Sequence, residues 1–229
     1  MSLTEELKEL LYREGAGLVG IGDMSQTPNC HFKTGIAIAL PLPKHVIIDL
    51  QKAPTREYYA LYHTLNAKLN EIVLAGEAFL KDKDYEAYAQ TTDRVTVNQN
   101  NISALPHKTV ATKAGLGWIG KNCLLVTRQY GSAIRISSLL TNASLEYDQP
   151  IEHSSCGACT LCVKNCPAQA LKGTLWEAGI PRNTIVDVQK CQKKQVEIMT
   201  ERTGIQTDLC GKCFAVCAYT QKFLKAAAS

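Results

Sequence analysis

Apolar positions at Leu3, Leu7, Leu10 and Leu11 recur at the spacing of one helical face, which predicts a helix over residues 3–14. Gly15 and Gly17 stop it, and the apolar run at 18–21 reads as a strand. The near-continuous run at 36–40, closed by Pro41 and Pro43, predicts a second strand. The run at 46–50 is a further strand candidate. From Pro54 to residue 80, Tyr58, Leu61, Tyr62, Leu65, Leu69, Ile72, Val73 and Leu80 recur at threes and fours. The longest helix is expected there, with Pro54 where a first turn tolerates it. Its tyrosines and His63 are read as core or rim packing. After a polar stretch at 91–101, LPHKTVATKAGLGWIGKNCLLVT reads as a short helix, a glycine-rich turn and a strand at 123–126. One more strand is expected at 133–140. Helices alternating with hydrophobic strands argue for an α/β or α+β first domain over residues 1–150.

The cysteines change this picture. Only Cys30 and Cys123 precede residue 151, while the other eight crowd between Cys156 and Cys217. That clustering marks a second domain, 151–229. The acidic, amphipathic start MSLTEELKELL does not have the pattern of an export signal. No stretch reaches the roughly 20 apolar residues of a membrane helix. The expectation is a soluble, cytoplasmic protein without membrane partners, whose thiols are reduced and metal-bound instead of forming a secreted disulfide framework. Residues 1–150 hold fifteen basic and fifteen acidic side chains, so the whole excess of +4 falls in residues 151–229. A nucleic-acid patch is one explanation. Iron-sulfur clusters are another, since each oxidised cluster with four thiolates carries about −2 and two would cancel the excess.

The first block, CGACTLCVKNCPAQAL, sets Cys156, Cys159, Cys162 and Cys166 ahead of Pro167, the CxxCxxCxxxCP run of bacterial ferredoxins. Three thiolates at two-residue gaps wrap one cubane, and the fourth ligates the other cluster. The second block, DLCGKCFAVCAY, supplies Cys210, Cys213 and Cys217, and Cys191 lies between the blocks. Following the crossed ferredoxin arrangement, one 4Fe-4S cluster is assigned to Cys156, Cys159, Cys162 and Cys217. The other is assigned to Cys166, Cys191, Cys210 and Cys213. Zinc is the rival metal, because CxxC pairs also build tetrahedral sites, but zinc does not account for the crossing run of eight. Cys30 and Cys123 default to small buried thiols.

The string KAGLGWIGKNCLLVTRQYGS, followed by the cysteine blocks, resembles the epoxyqueuosine reductases and, more distantly, the corrinoid-dependent reductive dehalogenases. The resemblance is clearest over residues 106–218. It implies an α+β architecture with a nitroreductase-like α/β domain that binds cobalamin, and a ferredoxin-like module that feeds it single electrons. It also implies an electron donor such as ferredoxin or flavodoxin, and a reducible substrate, which in that family is tRNA. Gly115, Gly117, Trp118, Gly120, Lys121 and Asn122 fall on the motif and are carried over as corrinoid-binding. From the residues alone, AGLGWIG is a tight turn between helix and strand. Asn101 occupies the position of the family's catalytic aspartate, and an amide cannot serve as that general acid. Asp93, His107 and Lys108 are the weak alternatives. The gap from Cys166 to Cys191 is longer than the family's, and Ala218 stands where a proline is expected. Many full-length relatives also continue into a helical tRNA-binding region. A non-catalytic electron carrier or reductive activator of a partner corrinoid protein or flavoenzyme is the second reading.

Overall fold

The computed structural model describes residues 1–98 and 103–226. Along the chain run α1 (Leu3–Arg13), β1 (Leu18–Asp23), β2 (Thr34–Pro41), α2 (Lys44–Leu50), α3 (Arg56–Lys81), β3 (Ala87–Ala89) and α4 (His107–Lys113). Then follow β4 (Trp118–Ile119), β5 (Leu125–Val126), β6 (Ile134–Thr141), α5 (Leu161–Lys164), α6 (Val188–Thr203), α7 (Lys212–Ala215) and α8 (Ala218–Lys225). Among the described residues no helix is long and apolar enough to cross a membrane.

Compactness divides this mixed α/β chain into two units. The first comprises Met1–Leu40, Thr64–Leu116 and Arg135–Ile151. Its start is fixed locally: the Ser2 hydroxyl accepts from the Glu5 N–H, and the Glu5 carboxylate accepts from the Ser2 N–H, a reciprocal cap that satisfies two orphan donors. Leu7 and Leu11 of α1 are then buried with Ile72 and Leu80 of α3 against Ile21, Ile36 and Ile38. The sheet order is β1-β2-β6-β3. β1 runs antiparallel to β2 from Leu18 opposite Ala39 to Asp23 opposite Thr34. β3 pairs antiparallel with β6. The unbroken apolar run of β2 follows from its burial along both faces. Glu77, buried on α3, receives Arg94 at 2.9 Å and Lys81 at 2.9 Å. Burial works to raise its carboxyl pKa, yet the hydrogen bonds from Lys81 and Arg94 hold it below the ordinary value.

The second unit comprises Pro41–His63, Gly117–Ile134 and Glu152–Ser229. It joins two earlier segments to the cysteine-bearing one. The β4–β5 hairpin pairs Trp118 with Val126. Tyr58 meets Phe214 of α7 edge-on at 5.9 Å. α6 is capped by Asp187, whose side chain accepts from the Lys190 N–H, and ends at Gly204 in the left-handed conformation. With the boundaries drawn this way, this unit holds fifteen basic and eight acidic residues, the first unit ten and thirteen.

Residues 46–50 are helical, not extended. An alternating strand would place Val46, Ile48 and Leu50 on one face, but Val46, Ile47 and Leu50 are the buried ones and Ile48 is 51% exposed. That is helical spacing. The strand expected at 123–126 shortens to β5, because Cys123 sits at φ 60 in the turn that precedes it.

Candidate functional site

Four thiols meet in one cavity of the second unit. Cys156, Cys159, Cys162 and Cys217 line it together with Lys121, Asn122, Val126 and Tyr219. Cys156 and Cys159 flank a turn at Gly157, whose φ is +50, and the Cys159 N–H donates to the Cys156 carbonyl at 3.1 Å. Cys162 rides on α5 and Cys217 caps the start of α8. All four are half-buried free thiols. The glycine-rich string supports this loop from behind. The fully buried Trp118 donates its indole N–H to Cys156 Sγ at 3.4 Å and packs edge-on against Tyr219 at 4.8 Å. Lys121 Nζ donates to the carbonyls of Gly157 at 2.8 Å and Cys159 at 3.1 Å. Lys121 is only 6% exposed, and among the described residues no carboxylate lies within ion-pair distance of it. A buried ammonium is costly unless negative charge accompanies it.

Cys166, Cys191, Cys210 and Cys213 form the other set. Cys166 Sγ accepts from the Ala170 N–H at 3.4 Å. Cys191 sits on α6, and Gln195, one turn later, donates its amide N–H to Cys191 Sγ at 3.0 Å. Cys210 precedes Gly211, and Cys213 lies on α7. Thiol electrostatics separate the sets. Burial, then the thiols of Cys217, Cys156 and Cys159, push Cys162 up to about 11. Burial, then Cys166, raise Cys191, which also feels Cys210. Cys213 is raised well above its ordinary value by burial, then by Cys210, Cys191, Cys162 and Cys166. Cys162 and Cys213 therefore link the two sets. Such crowded thiols would repel one another as thiolates unless a multiply positive, soft centre sat among them. Among the described residues, no three His, Cys, Asp or Glu converge as ligands of a single metal ion.

The residues carried over as corrinoid-binding are already engaged with protein. A Cβ on Gly117 would run into the Val126 carbonyl, and one on Gly120 would lie 2.6 Å from Asn122 Oδ1. Gly115, at φ +69, faces the Gln149 carbonyl at 2.5 Å from where its Cβ would be. Asn122 donates to Ser132 Oγ at 2.9 Å and accepts from the Leu124 N–H. Gly117, Gly120 and Asn122 shape the β4–β5 hairpin, from which Trp118 and Lys121 reach the first cysteine loop.

Of the acid candidates, Asn101 lies outside the described residues. His107 opens α4, half-buried, with Nδ1 at 2.8 Å from Ser138 Oγ. Burial, then the Arg135 guanidinium, push it down to about 4, so it is neutral at pH 7 and holds no proton to give as an imidazolium. Lys108 follows it, half-buried. Asp93 is exposed, and hydrogen bonding from Thr91 holds its carboxyl below the ordinary value. Cys123 is buried as expected, whereas Cys30 is only half-buried and donates to the Phe32 carbonyl at 3.4 Å. Sequence reasoning missed Gln195 and the role of Lys121. A glutamine four residues after a ligand-type cysteine on one helix face was the available signal for the former.

No protein-family model matches the chain. It is 35% identical over 167 residues to the epoxyqueuosine reductase of Lactococcus garvieae, a match covering 70% of this chain and 42% of that enzyme. The chain spans about two fifths of the length of such curated relatives. Among solved structures, an epoxyqueuosine reductase with an epoxyqueuosine-modified tRNA-Tyr stem loop aligns with a TM-score of 0.62 at 22% identity, over 96% of this chain and 65% of that one. A reductive dehalogenase whose structure suggests a mechanism for B12-dependent dehalogenation aligns with a TM-score of 0.71 at 19% identity, over 93% and 31%. The chain shares the fold of both and is related in sequence to the epoxyqueuosine reductases.

Proposed function

We propose that this chain is an iron-sulfur oxidoreductase of the epoxyqueuosine reductase type, with a ferredoxin-like cysteine module serving a nitroreductase-like, cobalamin-binding domain. Cys156, Cys159, Cys162 and Cys217 would hold one 4Fe-4S cluster, and Cys166, Cys191, Cys210 and Cys213 the other. When bound, the clusters would carry single electrons and a corrinoid would deliver them to a reducible substrate. The single observation behind this reading is the cavity in which Cys156, Cys159, Cys162 and Cys217 meet beside Lys121, a buried cation whose missing counter-charge thiolates would supply. Trp118 and Gln195 add N–H donors to sulfur, which favour the more negative, reduced state of a bound cluster.

The 115–122 string has its side chains occupied by protein partners, so what it offers a corrinoid is backbone, with no side-chain ligation. That part of the proposal is supported by the string's resemblance and the shared fold. A tRNA is one substrate, in line with the stem loop bound by the related structure. A cytoplasmic setting, which keeps thiols reduced, and a ferredoxin or flavodoxin donor complete the reading.

Anaerobic purification with iron and sulfide analysis, electron paramagnetic resonance and visible spectroscopy tests it. About eight irons and eight sulfides per chain are expected, with a shift in corrinoid absorbance on cobalamin titration. Zinc in place of iron and sulfide would overturn the cluster assignment, and an unaltered corrinoid spectrum would remove cobalamin. The second reading, an electron carrier or reductive activator of a partner corrinoid protein or flavoenzyme, is favoured by the amide at Asn101 and the neutral His107. Turnover only with such a partner present would select it.

A further inference from the structure

The second unit has another concavity, beside Cys210. Leu50, Pro54, Pro167 and Ile198 give it an apolar lining. Lys52, Arg202 and Lys212 stand around it, with Glu201 as the one acid among its lining residues. Lys212 donates to the Gln51 carbonyl. Lys52 and Arg202 are exposed, and among the described residues no carboxylate lies within ion-pair distance of either. The unit around them carries fifteen basic residues against eight acidic.

We propose that this groove is the docking site of a small acidic one-electron carrier protein of the ferredoxin type, which delivers electrons to the cysteine set 166, 191, 210 and 213. The proposal rests on the iron-sulfur reading above and adds to it the point of entry. The first set has Trp118, Tyr219 and Lys121 packed against it, whereas Cys210 of the second set is itself part of the groove wall. A carrier seated here has one cysteine between it and the second set. An apolar centre with a cationic rim suits a brief encounter, in which unpaired charges steer the approach and a small dry patch fixes it. Each encounter would oxidise the carrier by one electron and reduce by one a cluster held by these four cysteines, with no bond or proton moved.

The test uses the full chain, loaded anaerobically with iron and sulfide, in wild-type form and as Lys52→Glu/Arg202→Glu. Stopped-flow absorbance follows reduction by a reduced acidic 2Fe-2S ferredoxin and, separately, by photoreduced deazariboflavin, which is uncharged. Reversal of the two rim charges is expected to slow the protein donor about tenfold or more at low ionic strength and to flatten its salt dependence. The deazariboflavin rate and the electron paramagnetic resonance spectrum should not change. Lys172→Glu/Lys225→Glu reverses two exposed charges of the same unit outside the groove and should leave the ferredoxin rate within about twofold of wild type. An unaltered ferredoxin rate in the rim variant, or an equal loss in the control variant, overturns the docking site while leaving the clusters standing. Iron-poor wild-type protein with no resonance signal sinks the iron-sulfur reading first, and the docking site with it.

Discussion

His107 is the residue through which pH should reach the first unit. It opens a polar chain in which Nδ1 lies 2.8 Å from Ser138 Oγ, and Ser138 Oγ donates to Gln90 Oε1 at 3.0 Å. Burial, and secondarily Arg135, put its folded pKa at about 4 against an ordinary 6.5. The folded state therefore binds fewer protons than the unfolded chain across that interval. The contribution is complete above about pH 6.5 and is lost as pH falls toward about 4, with an upper bound of about 3 kcal/mol. Urea midpoints measured from pH 7 to pH 4 should fall more steeply for wild type than for His107→Gln, and parallel curves would reject this assignment. Gln195 acts on the other chemistry. Replacing it with Leu removes the N–H···S contact to Cys191 while keeping the helix. On the proposed reading, a cluster held by Cys166, Cys191, Cys210 and Cys213 should then become harder to reduce, its midpoint moving to more negative potential in a resonance-monitored titration. The cysteines themselves were legible because their spacing is a covalent ruler. The donors to sulfur were not, since Trp118 and Cys156 are brought together only by the fold.

At the scale of elements, the β4–β5 hairpin decides whether the first cysteine loop is held. Gly117 has no room for a Cβ, which would collide with the Val126 carbonyl, and backbone cannot step aside as a flexible side chain can. Gly117→Ala should open the hairpin, draw Trp118 and Lys121 away from the loop, and lower the iron bound by the full chain. Gly157, inside the loop, has nothing within 4 Å of its would-be Cβ and a φ of +50. Gly157→Ala should cost only the left-handed backbone penalty, about 1–2 kcal/mol, and retain its iron. Comparable iron loss in both variants would mean that glycine matters here for conformation and not for close approach. The same hairpin illustrates what periodicity could and could not reveal. α1, β1, β2, α3 and β6 follow hydrophobic patterns long enough to have a period, and each formed near its expected place. Two-residue β4 and three-residue β3 are too short to have one. The segment of α2 reads as a strand in sequence because VIIDL is apolar at four of its five positions, and over five residues such a run fits either period.

For the whole molecule, the cysteine density suggested one cut near residue 150, yet compactness gathers the thiols with residues 41–63 and 117–134. The reason is physical: residues 152–229 contain eight ligand-type cysteines but few of the groups that hold their loops. Trp118 and Lys121 bind the first loop through Cys156, Gly157 and Cys159. Tyr58 packs on Phe214, and the Gln51 carbonyl anchors Lys212, next to Cys213. Charge points the same way, since the ten basic residues of the 152–229 segment outnumber its six acidic ones, an excess that anionic clusters, on the proposed reading, would offset. A fragment of residues 152–229, produced without oxygen, should therefore bind well under half of the about eight irons expected of the full chain. Losses should be greatest at the first set, whose resonance signal would be weakened most. Full iron retention in the fragment would mean that the cysteine segment folds on its own around its metals, and that the two earlier segments serve only to place it against whatever it reduces.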